Sequence, residues 1–132
     1  SDYLNLTNES GIAFYKHEVR DCIYDEGMAV MFLNKADPHK IKLQLREYAE
    51  KGMPAKYGLL AGGAIFRNHK RNLGNQIMEN WWREYIKWPT RDQISLMYVL
   101  WNMGIDVMDI GIVGGGKSRF QDSKIFWCEH LL

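Results

Sequence analysis

The stretch YGLLAGGAIFRN, Tyr57 to Asn68, limits the possible folds more than any other part of this chain. It is an apolar run with two adjacent glycines at its centre, and it reads as a strand. Gly62-Gly63 would weaken an isolated strand, so their physical reason is a bulge or a close approach of the backbone to something else. Amphipathic helices stand on both sides of it. In ADPHKIKLQLREYAEKGMP, Asp37 is a natural N-cap, Pro38 takes the first helical position and Gly52 supplies a left-handed stop. Ile41, Leu45 and Tyr48 line one face, and Glu47 and Lys51 form an i,i+4 pair on another. KRNLGNQIMENWWREYIKW places Leu73, Ile77, Trp81, Tyr85 and Trp88 at helical spacing, and Pro89 ends it. TRDQISLMYVLWNMG is a further, largely buried helix, with Thr90 and Gln93 spaced as a capping box and Gly104 as its stop.

The remaining segments complete a layered pattern. IAFYKH, Ile12 to His17, reads as a short strand. In RDCIYDEGMAVMFLNK, Asp21 can cap a helix, with Asp25 and Glu26 near its positive end. Met28 to Leu33 is apolar on every side and is expected to be buried; a helix is the favoured reading and a strand from Ala29 the alternative. IDVMDIGIV reads as a strand, GGGKSRFQDS as a loop and KIFWCEH as a last strand. With no internal repeat and no linker, residues 1–132 read as a single α/β domain.

Composition excludes several classes. The net charge of +1 creates no global field for nucleic acid or an acidic membrane. No apolar run approaches a membrane span and no signal peptide opens the chain, so a soluble chain of open localisation is expected. Aromatics at 13%, with five Trp and seven Tyr, point to a well-filled core, a sugar- or base-stacking surface, or both. Cys22 and Cys128 are too few for a disulfide framework or a zinc site and are expected as buried thiols. The four histidines lack zinc-site spacing, so no metal site is expected.

GIVGGGKS, Gly111 to Ser118, fits the phosphate-loop pattern G-x-x-x-x-G-K-[ST] residue for residue. That loop needs a helix after it and a later strand carrying an aspartate for magnesium. RFQDSKIFWCEHLL supplies neither, so the glycines read as a loop between strands.

Three polar clusters carry candidate chemistry. KHEVRDCIYDE gathers Lys16, His17, Arg20, Asp25 and Glu26 at a strand-to-helix junction, where α/β proteins place ligand groups; a solvated charged turn is the plainer account. GGAIFRNHK runs the double-glycine strand into Arg67, Asn68, His69 and Lys70, suited to anionic or hydroxyl groups or simply to an exposed turn. WPTRDQ places Asp92 in the first turn of a helix, where the dipole favours a carboxylate, beside Arg91 and Gln93.

These three blocks, KHEVRDCIYDEGMAV, GLLAGGAIFRNHK and ENWWREYIKWPTRDQISLMYVLW, occur in an order that resembles a glycosyltransferase-like family. That family includes plant proteins of mucilage polysaccharide synthesis and pollen turgor control, with bacterial and viral members. Its pattern runs roughly K-H-P-x-R-x-C-I-Y-x-E, then G-L-x-x-x-x-x-I-x-R-x-H-N, then W-W-x-x-[IY] and S-x-R-D-Q-[LI]-S-x-x-Y-V-L-W. The match covers about residues 14 to 103. Glu18, Lys70 and Thr90 depart from the family's proline, asparagine and serine; Thr90 keeps the hydroxyl.

The resemblance implies the fold of nucleotide-sugar transferases built on one Rossmann-like (GT-A-like) domain. It implies that this chain is the C-terminal, acceptor-side half, its helices packed on a small mixed sheet, without the N-terminal nucleotide-binding half. Such an enzyme transfers a sugar from a nucleotide sugar to a glycan or other hydroxyl acceptor, and this half alone is expected to be inactive; a non-catalytic carbohydrate-binding or assembly module is the alternative. The full-length enzyme would use Mn2+ or Mg2+, with no ligand set in this chain. Asp92 is then the catalytic carboxylate, able to hold sugar hydroxyls or act as general base. Gly62, Gly63, His17, Arg20, Arg67, His69, Arg91 and Gln93 would bind substrate, the arginines offsetting diphosphate charge. Lys117, Ser118 and Arg119 would close over the diphosphate. Trp81 or Trp82 would stack on a sugar face, unless Trp81 belongs to the core. A half-fold also leaves sheet edges and an apolar face open, which predicts self-association.

Overall fold

The computed structural model describes residues 7, 9–16 and 20–113, with backbone alone at 61–64, 112 and 113. Its elements run β1 (Ile12–Lys16), α1 (Ile23–Phe32), α2 (Pro38–Glu50), β2 (Leu60–Arg67), α3 (Asn72–Lys87), α4 (Asp92–Asn102) and β3 (Gly111–Val113). His17, Lys117, Ser118, Arg119, Cys128 and the expected last strand lie outside the described residues. The class is α/β, with a small mixed sheet as expected: β1 is central, antiparallel to β2 and parallel to β3.

β1 is apolar on both faces because both are covered: Ile12, Ala13, Phe14 and Tyr15 are all buried. The double glycine in β2 does what such a pair is expected to do. Phe14 faces Ile65, but the next residue, Tyr15, faces Ala61, so Gly62, Gly63 and Ala64 have no partner opposite them. The strand bulges there, which re-aims its far end.

Three helices end on a left-handed residue with paired backbone bonds behind it. Gly52 (φ 98°) and Gly104 (φ 72°) are the stops read from the sequence. The third is Asn34 (φ 55°), whose N–H bonds Met31 O at 3.1 Å while Lys35 N–H bonds Val30 O at 3.0 Å. The Asp37 cap is also present, its carboxylate accepting from His39 N–H at 2.9 Å with Pro38 behind it.

Several expectations are corrected. α1 begins after Cys22 with no side-chain cap, and Asp21 instead uses its carbonyl to accept from Gly58 N–H at 3.0 Å. Met28 to Leu33 is helical through Phe32 but is not buried throughout. α1 turns Ile23, Glu26, Gly27 and Val30 inward, leaving Met28, Phe32 and Leu33 in solvent. Gly27 gives the inward face its close fit, because a Cβ there would stand 2.5 Å from Leu45 Cδ1 on α2 and push that side chain aside. The Thr90–Gln93 capping box does not form. Arg91 occupies the N-cap without a side-chain bond, and Thr90 Oγ1 donates to Gln44 Oε1 at 2.6 Å. A buried amide on α2 competes for that hydroxyl and wins. The strand expected across Ile105 to Val113 is mostly a turn: Asp106 and Asp109 cap a 3-10 helix at Val107–Asp109, and only Gly111–Val113 pairs.

The core lies between the sheet and α3 and α4, where Phe14, Ile77, Trp81, Ile94, Met97 and Leu100 meet. A polar spine crosses it. Tyr48 stacks on Tyr98 with ring centroids 4.0 Å apart, accepts from Gln44 Nε2 at 3.0 Å and donates to Glu84 Oε2 at 2.7 Å.

Candidate functional site

The site is organised around Trp81. This residue is buried in the core, so it is not the exposed stacking ring; Trp82 is the exposed one. The Trp81 ring packs edge-to-face with that of Phe14 of β1, the centroids 5.9 Å apart and the planes inclined by 70°. Its indole N–H donates to Asp92 O at 3.0 Å and Ser95 Oγ at 3.1 Å. Ser95 Oγ donates to the same Asp92 carbonyl at 3.1 Å. The start of α4 is thereby pinned to the sheet through one aromatic residue. Phe14 in turn pairs with Ile65, two residues before Arg67. α4 also packs directly against β2, so the second and third sequence clusters sit on neighbouring elements.

At the end of β2, Arg67 Nη2 donates to Asn75 Oδ1 at 3.0 Å, and Asn75 Nδ2 donates to His69 O at 3.0 Å. Asn75, on α3, sets the guanidinium's orientation; nothing in its sequence position announced that role. Asn68 Oδ1 accepts from Lys70 N–H at 3.1 Å, forming an Asx turn that leaves His69 and Lys70 exposed.

At the start of α4, only the Asp92 main chain is used for structure. Among the described residues no hydrogen bond or ion pair engages its carboxylate. The helix dipole favours a charged carboxylate at that place.

Three buried side-chain polar atoms among the described residues have no hydrogen-bond partner: Arg67 Nε, Arg91 Nε and Gln93 Oε1. All three belong to residues the sequence motifs had singled out. A buried polar atom without a partner costs about 1–3 kcal/mol, and a folded protein retains few of them. Two are guanidinium donors and one is an amide acceptor.

The first cluster is differently placed. Arg20 Nε forms an ion pair with Glu26 Oε1 at 2.9 Å, and Glu26 is buried. That contact holds the arginine against α1, and α1 packs on α2 and α4. Glu26 satisfies the rule that a buried charge is paired. Cys22 is a buried free thiol, as expected. Among the described residues no group of three or more His, Cys, Asp or Glu is arranged to hold a metal ion. No helix among them is long and apolar enough to cross a membrane.

Comparison with curated proteins and with solved structures returns no match. Comparison with protein families matches residues 2–111 to the TOD1/MUCI70 glycosyltransferase-like domain. That span contains all three motif blocks together with every strand and helix up to the first residue of β3. The chain belongs to the TOD1/MUCI70 glycosyltransferase-like domain family.

Proposed function

We propose that this domain takes part in transferring a sugar from a nucleotide-activated donor to a hydroxyl acceptor, as the acceptor-side half of a GT-A-like transferase fold. The observation that carries the reading is the placement of the unpartnered atoms. Arg67, Arg91 and Gln93 each carry a buried polar atom without a partner, Asp92 has an unengaged carboxylate, and α4, which Arg91 to Gln93 open, packs against β2, which ends at Arg67. A nucleotide sugar offers the complementary groups, diphosphate oxygens for the guanidiniums and sugar hydroxyls for the amide and carboxylate.

In this reading Asp92 accepts hydrogen bonds from sugar hydroxyls; in an inverting reaction it takes the acceptor's proton as general base. Arg67 and Arg91 neutralise charge on the leaving diphosphate. The β2 bulge at Gly62 and Gly63 permits close approach of the donor to the backbone. Arg20, His17 and His69 keep the supporting roles implied by the family resemblance, and Lys117, Ser118 and Arg119 keep the diphosphate role implied by sugar transferases of this fold.

Titration calorimetry with a panel of nucleotide sugars, with and without Mn2+, tests this in the chain and in any longer protein that carries it. Binding that Arg67→Ala and Arg91→Ala weaken supports the reading. No binding by either protein sinks it. The exposed Trp82 favours a second reading, a carbohydrate-binding module that stacks a glycan on the indole face. In that case Trp82→Ala abolishes glycan binding while Asp92→Ala leaves it unchanged.

A further inference from the structure

The α1–α2 corner carries four of the exposed large hydrophobic residues among the described residues. Phe32 is 89% exposed, Met28 63% and Leu33 56%, with Leu43 on the shoulder of α2. Exposed apolar groups clustered like this mark an interaction surface. The corner is also built to hold its shape. Asn34 in the left-handed region closes α1 with two backbone bonds, and Gly27 lets α1 pack tightly against Ile41 and Leu45 of α2. Phe32 and Leu33 therefore project from a fixed turn.

The surrounding charge identifies the partner. From Asp25 to Arg46 the exposed charged residues are Lys35, Lys40, Lys42 and Arg46 against Asp25 and Asp37, four positive less two negative, or +2, in a chain of net charge +1. All four basic residues are exposed, and the Asp37 carboxylate is occupied in capping α2. In a symmetric pair of copies the same basic rim would meet itself. An anionic lipid surface complements both features, since apolar tips enter the headgroup layer while lysines face lipid phosphates. We propose that the α1–α2 corner docks on an anionic lipid surface, with Phe32, Leu33 and Met28 inserted and Lys35, Lys40 and Lys42 against the headgroups. This inference stands on surface residues remote from Asp92 in sequence and does not rest on the transferase reading.

Co-sedimentation of the full chain with vesicles tests it. Phosphatidylcholine vesicles containing phosphatidylserine should bind the chain, phosphatidylcholine vesicles alone should not, and added salt should release it. Phe32→Ser and the triple change Lys35→Glu, Lys40→Glu, Lys42→Glu should each weaken binding by roughly tenfold or more. Both alter exposed side chains, so circular dichroism should show an unchanged fold. Failure to bind phosphatidylserine vesicles, equal binding to both vesicle types, or binding unchanged by Phe32→Ser would overturn the proposal. A dimer in light scattering that Phe32→Ser dissociates would also overturn it, assigning the corner to a second copy of the chain.

Discussion

Tyr48→Phe is the most informative single change in the core, because it deletes one hydroxyl and leaves the ring stack on Tyr98 in place. That hydroxyl accepts from Gln44 Nε2 at 3.0 Å and donates to Glu84 Oε2 at 2.7 Å. The bond to the carboxylate is worth about 1.5–3 kcal/mol, and the Gln44 donor left unpaired costs about 1–3 kcal/mol. Gln44 is fully buried, but Glu84 is only half-buried and can recruit water. The two contributions overlap, which gives an expected loss of roughly 2–4 kcal/mol. In a domain of this size that lowers Tm by roughly 6–16 °C, measurable by thermal circular dichroism. Alkaline pH supplies a second readout. Burial, reinforced by Glu84 and opposed by the bond from Gln44, holds the Tyr48 phenol well above its ordinary value of 10.0. The unfolded chain ionises near pH 10 while the folded chain stays protonated. This contribution to stability is therefore intact below about pH 10 and falls above it by roughly 1.4 kcal/mol per pH unit. Tyr48→Phe should remove that slope. A loss below about 1 kcal/mol at pH 7, or an alkaline slope unchanged from the wild type, would refute the reasoning.

Asp92→Ala should abolish sugar transfer by any active protein containing this domain. The fold should survive with a loss of at most about 1 kcal/mol, because Trp81 and Ser95 bond the Asp92 carbonyl; chemical denaturation beside an activity assay checks both. Gly104→Ala should cost about 1–2 kcal/mol from backbone strain alone, since nothing lies within 4 Å of the added Cβ. Gly11→Ala should cost more, because its Cβ would stand 2.3 Å from Arg71 Cβ at a φ of 79°; urea midpoints rank the two. Asp37→Ala should lower stability by about 1 kcal/mol through loss of the α2 cap.

Family and helix stops were legible in the sequence for a shared reason: both are local. Asp37-Pro38, Gly52 and Gly104 act through their own backbone, so a few neighbouring residues suffice to read them. The paired glycines in β2 announced a bulge because few other needs place two glycines inside an apolar strand. Arg67, Arg91, Asp92 and Gln93 stood out as candidates because the motif blocks are long and ordered.

What stayed hidden depends on partners far along the chain. Thr90 looked like a cap until Gln44, 46 residues away, took its hydroxyl. Met28 to Leu33 looked buried because hydrophobicity alone does not say which side of a helix another helix covers; α2 covers one side of α1 and leaves Phe32 in solvent. Asn75 orients Arg67 across a turn that no spacing rule marks. The amino-acid sequence by itself determined the α/β class, the element boundaries set by proline, glycine and capping residues, and the family. Only the tertiary structure decided which polar atoms remain without partners, and that Trp81 draws β1 and the start of α4 together. The reason is physical: a cap or stop is satisfied within one turn of chain, whereas a buried side chain's partners are settled when separate elements pack.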